Sequence, residues 1–193
     1  MAIDAYDKAL ATNFAAQRGK VLLLRAAAFL QRAMTHKTTL RDTVQDMSKA
    51  VPSAKNLSKL FEQAADHPLL AINIFEKIVE DTKGQEAIFL QTKFCHGLYQ
   101  YALLHAVRDA LQATQLLPND TQSWLQAGEI LSELWILPES VRYYEKAMEV
   151  DESLRDSVGS IIERLQQRKK VYDNARSNGW PEDIVRLALD VAG

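Results

Sequence analysis

One short pattern recurs along the chain at constant helical phase: a small residue, an aromatic or apolar residue four positions on, and a small or apolar residue three positions later. It is written as Ala2, Tyr6 and Ala9 in AIDAYDKALATN, and again as Ser140, Tyr144 and Ala147 in SVRYYEKAMEVDES. Degenerate copies lie between them, with Ala71, Phe75 and Ile78 in AINIFEKIVED and Ala106, Ala110 and Ala113 in AVRDALQATQL. Residues three and four apart share a helix face, so each copy is a stripe that lets a second helix approach closely. The four starting points fit a spacing of about 34 residues with one unit hidden near Lys37. There TTLRDTVQDMSKAV keeps the helical pattern without the stripe. A chain written this way stacks helices on helices.

The rest of the sequence agrees. Seven glycines and five prolines punctuate 193 residues, and the stretches between them are rich in Ala, Leu, Gln, Glu, Lys and Arg, all good helix formers. No segment shows sustained strand-type alternation. With 47% hydrophobic residues the chain can bury a substantial core, and a net charge of −2 provides no field for gathering phosphate backbones, so no nucleic acid is expected as a partner. The apolar stretch VLLLRAAAFL is interrupted by Arg25 well short of a bilayer span, and MAIDAYDKAL lacks the form of a signal peptide. No membrane insertion is expected. Cys95 is the one cysteine, so no internal disulfide can form. These features describe a soluble intracellular protein of the cytoplasm, with the nucleus or an organelle interior left open.

The periodicity predicts helices at 2–12, 15–34, 38–51, 53–66, 68–81, 85–101, 103–116, 121–134 and 139–150, alternating as B and A members of successive pairs. Ser53 and Asp120 suit N-caps, and Pro68 and Pro138 fall near helix starts, where a missing N–H costs nothing. Beyond Glu152 a long amphipathic helix runs to Ser177-Asn178-Gly179, a stop of the left-handed kind. Pro181 then opens a short fold-back helix anchored by Trp180. The expected organisation is one continuous domain, with repeats over 1–152 and a capping helix plus fold-back helix over 153–193. The chain opens in a B helix whose A helix is missing. Two expectations follow: a piece of a longer solenoid beginning at an artificial Met1, or a homodimer formed through the incomplete N-terminal repeat.

The unit TQSWLQAGEILSELWILPESVRYYEKAMEVDE, from Thr121 to Glu152, resembles a tetratricopeptide repeat. Trp124, Gly128, Tyr144 and Ala147 stand at the motif's signature positions, while Ala127, Leu131 and Glu152 depart from it. LWILPE places more apolar bulk in the turn than the motif carries. The preceding unit keeps Ala106, Ala113 and Pro118 but has Phe94 in place of the glycine. The resemblance implies an all-α fold, a right-handed α-solenoid of antiparallel helix pairs with a C-terminal capping helix. It also implies a non-catalytic protein–protein interaction module that takes a partner peptide or helix in its concave groove. A scaffold subunit using its ends and convex face is the alternative.

By this register the groove presents Asn56, Gln63, Gln91, Thr92, Cys95, Tyr99, Gln122, Gln126, Glu129, Glu133, Glu163 and Gln166. The acidic members point to a basic peptide or helix, with an apolar side chain near Tyr99. Family members that clamp acidic chaperone tails use Lys and Asn at positions occupied here by Gln122, Gln126, Glu129, Asp156, Ser160 and Glu163, so such tails are expected not to bind. Catalytic chemistry is not written in the sequence. Cys95 and His96 are adjacent and point about 100° apart on a helix. His36, His67, His96 and His105 lack zinc-type spacing, and no glycine-rich phosphate loop exists, so neither metal nor cofactor is expected. The basic run Arg164, Arg168, Lys169, Lys170 and Arg176 reads as a solvated outer face.

Overall fold

The computed structural model describes residues 3, 5–7, 15–50, 86–180, 182, 185, 186 and 189. The helices expected at 53–66 and 68–81, most of that at 2–12, and Ser53, Pro68 and Pro181 lie outside the described residues. Among those described, all regular structure is helical: α1 (Ala15–Ala50), α2 (Glu86–Leu116), α3 (Thr121–Glu133), α4 (Leu137–Val150), a 3-10 turn at Glu152–Leu154, and α5 (Arg155–Ser177). The all-α expectation holds.

The helix map needs two corrections. Turns expected near residues 35–37 and at residue 102 do not form; α1 and α2 each run straight through a predicted pair. The local chemistry explains this. No glycine or proline falls between Lys20 and Ala50, or between Leu98 and Leu117, so no residue stops the backbone ladder. Thr39 and Thr43 bond back within α1, their hydroxyls donating to the carbonyls of Thr35 at 3.1 Å and Thr39 at 2.8 Å.

At Asp120 and Pro138 the expected turns form. Asp120 caps α3 by accepting from the Ser123 amide at 2.9 Å. Pro138 sits in the first turn of α4. The α3–α4 hairpin closes at Gly128: a Cβ there would lie 3.1–3.2 Å from the Tyr144 ring, and the Ser140 hydroxyl donates to the Gly128 carbonyl at 2.7 Å. Small and aromatic residues of the repeated stripe thus meet at the crossing, with Ser140 and Ala147 fully buried. Trp124 donates its indole N–H to the Pro118 carbonyl at 2.8 Å and leans on Tyr143.

Two helix stops, those of α3 and α5, carry the paired backbone bonds of a Schellman turn. At the end of α5, Trp180 N–H reaches the Ala175 carbonyl and Gly179 N–H reaches that of Arg176, with Gly179 at φ 86°. At the end of α3, Ile136 N–H reaches Leu131 and Trp135 N–H reaches Ser132, and the left-handed residue is Trp135, at φ 62°. A tryptophan in that conformation costs about 1–2 kcal/mol, offset by burial of its side chain.

The chain divides into two compact units, residues 1–34 with 100–166, and residues 35–99 with 167–193. In the first, α1 and α2 run antiparallel: Gly19 meets Leu116 and Leu117, Arg25 meets Asp109, and Phe29 stacks on His105. Gly19 is needed for the approach, since a Cβ would fall 2.7 Å from Leu117. Ala102, Ala106, Ala110 and Ala113 form the small-residue stripe of α2 and are all buried. Arg25 grips Asp109 through two bonds of 2.6 Å, with Asp7 on its other edge. Asp109 is 2% exposed at its side chain. These neighbours raise the Arg25 pKa, Asp109 most strongly, against the opposing effect of burial. In the second unit Leu40, Cys95, Tyr99, Ala175, Val185 and Leu189 are buried, and the Lys37 ammonium stands over the Tyr99 ring at 5.8 Å.

Candidate functional site

Within the first unit α1 and α3 face each other across an open cleft of about 480 Å³. The α1 wall is Leu23, Leu24, Ala27, Leu30, Gln31 and Met34; the α3 wall is Gln122, Gln126 and Glu129. Spacings of three and four place each set on one helix face. One wall is a sheet of aliphatic and thioether surface. The other is polar and carries the charge.

The two walls are fastened at Gln126. With the amide oriented so that both its atoms find complementary partners, its oxygen accepts from the Ala27 amide at 2.7 Å and its nitrogen donates to the Leu23 carbonyl at 3.2 Å, alongside the backbone ladder of α1. The side chain is buried. It therefore holds the cleft together and is committed to α1. This differs from the expected stack, in which two helix pairs would separate 15–34 from 121–134. The uninterrupted course of α2 returns residues 100–116 along α1 and leaves the other side of α1 to α3.

Glu129 stands exposed at the cleft mouth, where crowding by surrounding atoms raises its pKa and Glu133, one turn on, adds repulsion. Both carboxylates act on Tyr144 behind them. Burial first, then Glu129 and Glu133, push the Tyr144 phenol up to about 12, with Arg164 pulling the other way. The electrostatic character of this end is acidic.

Of the groove residues expected from the repeat register, Gln122, Gln126 and Glu129 come together in the cleft, and Glu133 adjoins it through its charge. Glu163 and Gln166 are exposed on α5 and are not among the lining residues. Asn56 and Gln63 lie outside the described residues; Gln91 and Thr92 belong to α2. Cys95 and Tyr99 are corrected: both are buried, Tyr99 completely, so the expected aromatic of the groove is a core residue. The aliphatic wall was not expected. Its signal is the excess of apolar residues around 21–34, more than one buried face requires: Leu22, Ala26 and Ala33 fill the core, while Leu24 and Met34 remain 53% and 41% exposed.

His105 lies between the Phe29 face and the Tyr101 edge, and His96 tilts against Tyr99. On α5 Lys169 pairs with Asp173 at 2.5 Å, and Arg176 donates to the Trp180 carbonyl. Among the described residues no group of three or more His, Cys, Asp or Glu side chains could hold a metal ion, and no helix is long and apolar enough to cross a membrane. No family model matches the chain, and no curated protein or solved structure matches it.

Proposed function

We propose that this protein is a non-catalytic interaction module that receives a segment of another protein in the α1–α3 cleft. The observation that carries the reading is the pairing of an exposed aliphatic wall, Leu24 and Met34 above all, with a polar wall that ends in Glu129. Apolar area supplies affinity, and an acidic rim fixes register and selects a basic partner. The tetratricopeptide resemblance supports the same class of function, through the α3–α4 hairpin with its Gly128–Tyr144 crossing and the helix that follows it. The proposal carries the helix-pair stacking that resemblance implies over α3, α4 and α5 alone.

The test is recovery of partners from the source cell by the wild-type protein and by the double variant Glu129→Lys/Glu133→Lys. Urea denaturation of the double variant checks that the fold is kept, since Glu133 is half-buried. A basic partner should be held more than tenfold less tightly, about 1.4 kcal/mol or more. Unchanged recovery of every partner would sink the cleft as the binding site. The scaffold reading is favoured by a separate observation, the 61% and 58% exposure of Tyr101 and Leu104 on α2. Loss of partners on Tyr101→Ser/Leu104→Ser, with the glutamate variant unaffected, would select it.

A further inference from the structure

We infer that the cleft takes one amphipathic α-helix of about three turns, its aliphatic stripe laid on α1 and a lysine or arginine set against Glu129. This rests on the interaction-module reading above and names the conformation and chemistry of the partner.

Length comes from the walls. Leu23 to Met34 spans about 16 Å of helix and Gln122 to Glu129 about 10 Å, at 1.5 Å per residue. An occupant covering both is about three turns long. Conformation comes from the backbone. Both walls are helix faces, and neither presents a sheet edge. An extended segment entering here would lose water from its backbone and find no sheet edge to replace it; a helix brings its own hydrogen bonds. Gln126, the buried amide of the polar wall, is already bonded to Leu23 and Ala27. Charge comes from the mouth. Glu129 is exposed on the polar wall and Glu133 follows one turn on, so two carboxylates stand at this end and a cation complements them. The volume alone would suit a small organic ligand. An open cleft walled by two helix faces suits a rod better than a compact molecule.

The experiment selects binders from a displayed library of randomised 16-residue peptides against the full chain. Enriched peptides should carry Leu, Met, Ile or Phe at i, i+3 or i+4, and i+7, with a Lys or Arg beside the stripe. They should gain helical circular dichroism on binding and shift the amide resonances of Leu24, Met34 and Glu129. Leu24→Asp should weaken them at least tenfold. Glu129→Lys should do the same and be rescued by exchanging the peptide's basic residue for Glu, a rescue that a misfolded variant cannot show. Enrichment of proline-rich or acidic peptides that shift the same resonances would overturn this inference and leave the interaction reading standing. So would helical binders indifferent to Glu129→Lys. If no enriched peptide depends on Leu24, or if a small apolar dye occupies the cleft and no peptide does, both fall.

Discussion

Replacing Arg25 with methionine is expected to lower the unfolding free energy by about 3–5 kcal/mol, the cost of leaving a buried charge without its partner. The stranded group is Asp109, whose side chain is 2% exposed and takes both its 2.6 Å bonds from Arg25. The reverse single change, Asp109→Leu, should cost clearly less. Arg25 is 19% exposed and keeps Asp7, itself 54% exposed, on its other edge. The double variant Arg25→Met/Asp109→Leu should recover most of the loss, because replacing a buried ion pair with aliphatic side chains is often neutral or better. Urea denaturation of the four proteins measures all three quantities. Equal costs for the two single variants would show that Asp109 is not the group whose desolvation dominates.

Alkaline pH should destabilise the protein through Tyr144 in a defined window. The phenol is near 12 in the folded chain and near its ordinary 10 once unfolded. Below pH 10 both states hold the proton and the contribution is intact. Between 10 and 12 the unfolded chain releases it while the folded one retains it, so stability falls as pH rises, by about 2–3 kcal/mol in all. Tyr144→Phe keeps the ring against Gly128 and removes the proton. The variant should match wild type at pH 7 within about 1 kcal/mol and lose stability less steeply above pH 10. Identical alkaline slopes for the two proteins would place the ionisation elsewhere. The carboxylates of Glu129 and Glu133 contribute to the shift, so the charge-reversed cleft variant should also have the shallower slope.

The helical class and the α3–α4 hairpin could be read from the sequence because each rests on local chemistry. Asp120 caps, Pro138 opens a helix, and Gly128 admits a ring. The turns near residues 35 and 102 could not, since the period of a repeat says where a turn would be convenient and only residues that stop a ladder make one. Between Lys20 and Ala50 there are none. The same difference decided the site. Register alone brought Gln122, Gln126 and Glu129 onto one face, a property of a single helix. Which helix lies opposite depends on contacts far apart in sequence, and here α1 supplies the wall because α2 continues where a hairpin was expected. Tyr99 went into the core for the same reason: with no turn after it, its face of α2 is set by packing along the whole helix.

The tryptophan that closes α3 has a consequence for how this chain can change. At residue 135, with φ at 62°, glycine would relax the backbone and forfeit the buried indole. Any other large side chain would keep volume there and keep the strain. Glycine trades strain for a cavity and a bulky residue trades neither, so no single change of these kinds gains on both counts. Lineages that reshape this turn without loss would do so by paired changes, one loosening the backbone and one refilling the hollow, so this turn should drift slowly.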